Sequence, residues 1–365
     1  MAAAADPQDV PRIDRLDGWP LPDSQSEWFG DPAVETTLLD AYRGGRMHHA
    51  WLIGGPKGIG KATLAYRFAR FVLAHPDPQS AEVAAATSLA IPPDAPVFRR
   101  VAGRGHPNLL ALERPYREDR KRFLTDLNVD EVRRTVSFFG STGGEQGWRI
   151  AVVDPADEMN ASAANALLKV LEEPPRRSLF FVISHAPGRL LPTIRSRCRR
   201  IELSPLSDAA IAGAIRASRP GEFDDDDIAL AASLSEGSLR RAILLLQEDG
   251  IAGYRQFAAF AATLPNADVG AMHALADAVS KRGADDAYDG FLDTVRGWLG
   301  RRVRGEGEPA GEPAPTGVAT RLPLARWAEV WEKVTETSAE AEALNLDRKQ
   351  VVLSILMSFA QATRM

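Results

Sequence analysis

Five apolar runs, Ala50–Ile53, Asn108–Leu112, Ile150–Val153, Leu179–Ile183 and Arg200–Leu203, punctuate the first 205 residues of the chain. Each is apolar along its length rather than alternating, which suits a strand covered on both faces. Between them lie stretches of helical period. In residues 61–73, Leu64, Phe68, Phe71 and Val72 share one face. In residues 161–173, Leu167, Val170 and Leu171 do the same, and Pro174-Pro175 ends the helix. Strands that alternate with helices predict an α/β fold with a five-stranded, doubly wound parallel sheet. Residues 75–107, rich in Pro and Ala and without a firm period, read as an inserted excursion.

After Pro205 the strand signals stop. Ser207–Ala217, Asp226–Leu234 and Ser238–Gln247 read as three short helices, with the acidic run Glu222–Asp227 as a solvated loop that caps the second. A larger all-helical segment follows from about Tyr254 to Met365, broken by the flexible composition of Gly305–Ala314. The expected organisation is a flexible tail over 1–24, an α/β domain over 25–205, a small helical domain over 206–250 and an all-α domain over 251–365. Trp298, Trp327 and Trp331 are core or interface candidates in the last of these, the latter two at i, i+4 on one helical face.

Composition excludes several classes. The longest apolar runs are strand-length, far short of a membrane span, and the N-terminus lacks the basic-then-apolar layout of a signal peptide. A cytoplasmic protein is therefore expected. Cys198 is the single cysteine, so neither an internal disulfide nor a cysteine zinc cluster can form. The six histidines include no helical i, i+4 pair, and no metal site is expected. A net charge of −5 argues against general coating of nucleic acid, although Arg195, Arg197, Arg199 and Arg200 form a local basic patch. The second basic stretch, Arg114 to Arg122, is interleaved with Glu113, Glu118 and Asp119 and reads as a solvated loop.

The first run is followed by GGPKGIGKAT, residues 54–63, which fits the phosphate-loop pattern from Gly55 through Lys61. Its position between a strand and a helix is the context such a loop needs. Gly55, Gly58 and Gly60 let backbone N–H groups converge on phosphates, and Lys61 would reach the β and γ oxygens. The residue after the lysine ordinarily gives magnesium a hydroxyl, and here it is Ala62. Thr63 is about 100° further round the helix. The third run ends in Asp154, an acid at the carboxyl end of a buried strand and so in the Walker B position. A hydrolysing site of this kind would follow it with Glu, but Pro155 stands there. Asp157 and Glu158 read as helix-N-terminal acids rather than bases. Two catalytic groups are missing from one site.

The run NALLKVLEEPP, followed by a strand and then TIRSRC, resembles the AAA+ clamp-loader subunits of DNA replication, as do GRMHHAWLIGGPKGIGK and LNVDEVRRTVSFF. Residues 45–205 carry most of the likeness, and the helical remainder fits by order and length. The resemblance implies a P-loop AAA+ domain, a helical lid and an all-α collar. It implies that Ser184 is the sensor-1 polar residue and that Ser196, Arg197 and Cys198 form the SRC motif, whose arginine enters a neighbouring subunit's ATP site. It implies that Arg240 is the sensor-2 arginine of the lid. Partners implied are motor (tau/gamma) and delta subunits in a heteropentamer, with the sliding clamp and primed DNA reached through the complex.

Ala62 and Pro155 point to the stationary, non-hydrolysing member of that machine, in which the phosphate loop holds ATP or ADP without turnover. Many relatives carry four zinc-binding cysteines after the phosphate-loop helix; residues 74–107 have none, so no zinc is expected. Two alternatives stay open: an ATP-hydrolysing motor subunit, and an interaction protein that merely keeps the fold. No polymerase active site is read in the chain. From the residues alone, the alternative reading of Arg197 is a surface arginine paired with a nearby carboxylate, and Cys198 is expected to be a buried packing residue.

Overall fold

Successive residues of a strand point to opposite faces, and in the central strands both sets are buried. The computed structural model describes residues 11–45, 47–140, 147–247, 250–280, 285–306, 322–344 and 346–364. Its five-stranded sheet uses β1 (Ala50–Gly54), β2 (Leu109–Leu112), β3 (Arg149–Val153), β4 (Ser178–Ser184) and β5 (Arg199–Glu202), in the order β2-β3-β4-β1-β5. Every pairing is parallel. Trp51, Ile53, Leu179, Phe181 and Ile183 face one core, shared with helix α1 (Pro32–Arg43) and helix α2 (Lys61–Ala74). Ala50, Leu52, Phe180 and Val182 face the other, shared with Leu167 and Leu171 of helix α3 (Ala161–Glu172). Two helical layers therefore enclose the sheet, which is why its strands read as unbroken apolar runs.

The excursion after α2 is a packed part of this unit. It forms two short helices, Ala81–Ala85 and Pro96–Ala102, and Val83, Val97, Phe98 and Val101 enter the same core as Trp51. Elements of five and seven residues are too short to show a helical period. The basic stretch after β2 is a two-stranded antiparallel hairpin, in which Tyr116 pairs with Phe123, rather than an irregular loop.

The expected tail also differs. Residues 1–10 lie outside the described residues, but residues 11–24 are tied to the α/β unit. Asp23 is fully buried and bridges two guanidinium groups, Arg12 at 2.6 Å and Arg104 at 2.9 Å. Arg70 Nη1 donates to the Asp23 carbonyl at 2.8 Å. A carboxylate leaves water at this depth only when paired in such a way.

The chain divides at Leu206/Ser207 into two compact units. The second, Ser207–Met365, contains both the expected lid and the expected collar, and it is helical throughout its described residues. Its helices begin with Asp208–Ser218, Asp225–Leu234 and Leu239–Gln247. Asp225, Asp226 and Asp227 occupy the first turn of the second, where the helix dipole favours them. Further on, Phe257, Trp298, Trp327 and Phe359 pack ring against ring, with Trp298 and Trp327 edge to face at 5.2 Å. Trp331 is 43% exposed, so the pair Trp327/Trp331 spans the border between core and surface. The Gly/Pro-rich break beyond Glu306 lies outside the described residues. No helix among the described residues is long and apolar enough to cross a membrane.

Candidate functional site

The phosphate loop lies at the carboxyl end of β1, between its two neighbours in the sheet, where an open α/β sheet offers a crevice. Two of its glycines are dictated by geometry. A Cβ on Gly55 (φ 134°) would lie 2.5 Å from the Leu203 carbonyl oxygen. Gly60 (φ 93°) precedes α2 in the left-handed region and gives that helix no side-chain cap. The first N–H groups of α2 are thereby left to a ligand or water. Ala62, the second residue of α2, packs against the core, and it carries no hydroxyl for magnesium.

Lys61 is 3% exposed and folds back onto its own loop. Its ammonium donates to the Gly55 carbonyl at 2.6 Å and to the Pro56 carbonyl. Burial pushes its pKa down to about 8, against the pull of the Asp154, Asp157, Asp14 and Glu202 carboxylates. Those acids come from three separate stretches of chain. Sequence reasoning connected Asp154 with the loop but missed Asp14 and Glu202.

Asp154 follows β3, is 8% exposed, and donates its backbone N–H to the Leu112 carbonyl at 3.0 Å. Burial, reinforced by the Asp14 and Glu113 charges, pushes its carboxyl well above the usual range, with Lys61 pulling the other way. The two following acids are engaged elsewhere. Asp157 Oδ1 accepts the His185 backbone N–H at 2.8 Å, and Glu158 pairs with Arg114 at 2.8 Å. Asp157 and Glu158 lie in the single-turn helix Ala156–Glu158, as helix-N-terminal acids, and Asp157 also ties the end of β4 to the turn after β3. Both acids are held by structural contacts.

Ser184 ends β4 as the partner of Gly54. It is fully buried, and its hydroxyl accepts the Ala186 N–H at 3.2 Å. The next residue, His185, was not singled out from sequence. Its ring is acted on by Lys61 and Lys57 of the loop, and its Nδ1 is buried without a hydrogen-bond partner. Its place directly after the strand beside β1 was the available signal.

The SRC motif is built differently. Ser196 ends the short helix Pro192–Ser196, and its hydroxyl donates to the Thr193 carbonyl at 3.1 Å. Arg197 donates to the same carbonyl at 3.0 Å and pairs with Glu172 at 2.8 Å. Glu172 is the last residue of α3, a helix of 12 residues that starts just past the acids after β3. At 1.5 Å per residue, the far end of α3 is roughly 18 Å from its start. Arg197 is therefore held at the end of α3 remote from those acids. Cys198 is buried, and burial pushes its thiol up to about 12, as suits a packing residue. Arg240 belongs to the second unit, in the first turn of the helix Leu239–Gln247.

The family model described as "DNA polymerase III, delta subunit" matches residues 30–207, nearly the whole of the described α/β unit. Over residues 30–207 the α/β unit is similar to that family. The likeness extends to individual relatives. The chain is 38% identical over 169 residues to the DNA polymerase III subunit delta' of Pseudomonas aeruginosa, covering 46% of this chain and 47% of that one. It is 31% identical over 212 residues to the delta' subunit of Escherichia coli, 58% of each chain. A DNA polymerase III subunit gamma/tau of Mycobacterium tuberculosis is 30% identical over 179 residues, 48% of this chain and 28% of its own. The chain spans about half the length of the curated delta' relatives it matches.

Proposed function

We propose that this protein is a delta'-type clamp-loader subunit of DNA polymerase III that does not hydrolyse ATP. The reading rests above all on the state of its nucleotide site. Lys61 is folded onto the loop carbonyls, Ala62 offers no hydroxyl, and Asp157 and Glu158 are tied into contacts where a base would be sought. The loop glycines, the uncapped N-terminus of α2 and Lys61 still fit a phosphate group. They would hold ATP or ADP, with Asp154 facing the nucleotide, Ser184 at the rim and Arg240 serving from the lid.

The chemistry lies elsewhere, at Arg197. Its guanidinium, held at the far end of α3, would neutralise charge on the phosphoryl group transferred in a neighbouring motor subunit. The partners on this reading are tau/gamma-type and delta subunits in a heteropentamer, working in the cytoplasm to open a sliding clamp and place it on primed DNA.

The test is to mix the chain with motor and delta subunits and measure assembly and ATPase rate, wild type against Arg197→Ala. Assembly should persist while the rate falls at least about tenfold, since trans fingers are worth ~10³–10⁵. An unchanged rate would favour an interaction protein that merely keeps the fold. ATPase activity of the isolated chain, lost on Lys61→Ala, would make it a motor subunit.

A further inference from the structure

Among the described residues of the second unit, four helices line a cavity of about 640 Å³, within the range that small organic ligands fill. Three of them turn an i, i+3 stripe toward it: Arg241 and Leu244, Gly253 and Gln256, and Gly290 and Asp293. Gly253 and Gly290 lie inside their helices, Gly250–Ala262 and Asp285–Val303, where glycine costs stability. A Cβ at either would meet nothing within 4 Å, so these glycines leave open space instead of serving a close contact. The two ends of the cavity differ in charge. At the Arg241 end, a Cβ on Gly297 would lie 2.8 Å from Arg241 Nη2 and 4.0 Å from Arg301 Nη1. That glycine therefore seats two guanidinium groups side by side. Arg301 is 7% exposed, lies over the Tyr254 ring at 5.8 Å, and has Nε and Nη2 buried without a hydrogen-bond partner. Arg304 adds a third guanidinium, and the carboxylates that pair with the group are Glu236 and Glu306. Positive charge is in excess here. Arg241 is held loosely, at 3.3 Å from both Glu236 Oε2 and the Asp293 carbonyl. Toward the other end stands Asp289, about 12 Å before Gly297 along the helix axis, with Asp293 between them.

We propose that this cavity is a binding site for a nucleoside monophosphate, separate from the phosphate loop and carried wholly by the helical unit. The phosphate lies on Arg241, with the Arg301 charge behind it. Guanidinium groups match a phosphate in geometry as well as charge, and the slack bonds of Arg241 let it turn to the ligand. Leu244, Val279 and Phe291 supply an apolar middle for the flat face of a base. Asp289 and Asp293 accept from the hydroxyl and amino groups of the nucleoside. The same two acids repel further negative charge, which disfavours a ligand with phosphate at both ends. One anionic end, an apolar body and hydrogen-bond donors at the far end are what the lining selects.

The experiment is calorimetric titration of the full chain with AMP and, separately, CMP, each against inorganic phosphate and the bare nucleoside. All chains carry Lys61→Ala, so that the phosphate loop takes no part. To this background are added Arg241→Gln and, separately, Gly253→Leu, which fills the cavity from a helix position where the side chain has room. AMP or CMP should bind the background chain with a Kd below about 1 mM, and at least about tenfold more tightly than inorganic phosphate or the nucleoside. Arg241→Gln should weaken binding at least about tenfold, and Gly253→Leu should abolish it while the melting temperature holds or rises. No binding of either nucleotide by the background chain would overturn the proposal. Inorganic phosphate binding as tightly as the nucleotides would also overturn it, because the cavity would then contribute nothing. So would affinities unchanged by both substitutions, which would put the bound nucleotide elsewhere. If Arg241→Gln fails to fold, Gly253→Leu decides: unchanged affinity in that chain rejects the site.

Discussion

Arg197 Nη2 lies 2.8 Å from Glu172 Oε1, with side chains 35% and 43% exposed. A pair so open to water contributes at most about 1 kcal/mol. On the proposed reading, the guanidinium would leave Glu172 for a phosphoryl group on a neighbouring subunit at little cost. Glu172→Ala is expected to shift unfolding free energy by less than about 1 kcal/mol in a denaturant melt. In an assembled complex it should leave the ATPase rate at or above the wild-type value. A loss as deep as that of Arg197→Ala would mean that Glu172 aims the arginine rather than parking it.

Asp23 gives a contrasting case, since its carboxylate is fully buried between Arg12 and Arg104. Removing one side of a buried ion pair leaves uncompensated charge and typically costs about 3–5 kcal/mol. Arg104 also pairs with Glu113, which places the expected loss for Asp23→Ala near about 3 kcal/mol. Urea unfolding checks this. A change below about 1 kcal/mol would show that residues 11–24 contribute little to the α/β unit.

Phe181 tests the sheet core directly. It is fully buried in β4 and meets Phe68 of α2 edge to face at 5.8 Å. Phe181→Ala should destabilise by about 3–5 kcal/mol through lost burial and the cavity left behind. A melt close to wild type would mean that the cavity collapses at this position.

These three residues also show where sequence reading succeeds. Phe181 lies in an apolar run, and all five such runs are strands within a residue or so of their expected ends, because burial on both faces leaves a local imprint. Asp23 lies in a stretch whose acids and prolines suggest fraying. Its anchors, Arg70 and Arg104, are 47 and 81 residues away, and no local pattern announces them. His185 escaped for a similar reason: it carries no motif letter, and its place beside Gly55 follows only from strand register. The phosphate loop and the SRC triplet were legible because their chemistry fixes residue types at fixed spacings. That Arg197 is held on Glu172 was not.

Cys198 is buried, with its thiol pushed up to about 12 by burial. Since the thiolate is the reactive form, a thiol reagent at pH 8 should modify the native chain at least about a hundredfold more slowly than the chain in denaturant. Fast stoichiometric labelling of the folded protein would mean that the segment after Ser196 opens readily.

Lys61 carries the last expectation, and its sign is fixed by linkage. Burial lowers its pKa from the ordinary 10.5 to about 8. Below pH 8 both folded and unfolded chains hold the proton, and the folded chain bears the cost of burying the charge. Between pH 8 and 10.5 the unfolded chain keeps a proton that the folded chain has released, so stability rises with pH in that window. Lys61→Met lacks this titration. The unfolding free energy of wild type relative to Lys61→Met should therefore climb from pH 8 toward pH 10, by up to about 3 kcal/mol. A flat difference across that range would mean that the four carboxylates around Lys61 offset its burial. The same lysine would then be fully charged before any phosphate arrives, and phosphate binding would leave its protonation unchanged.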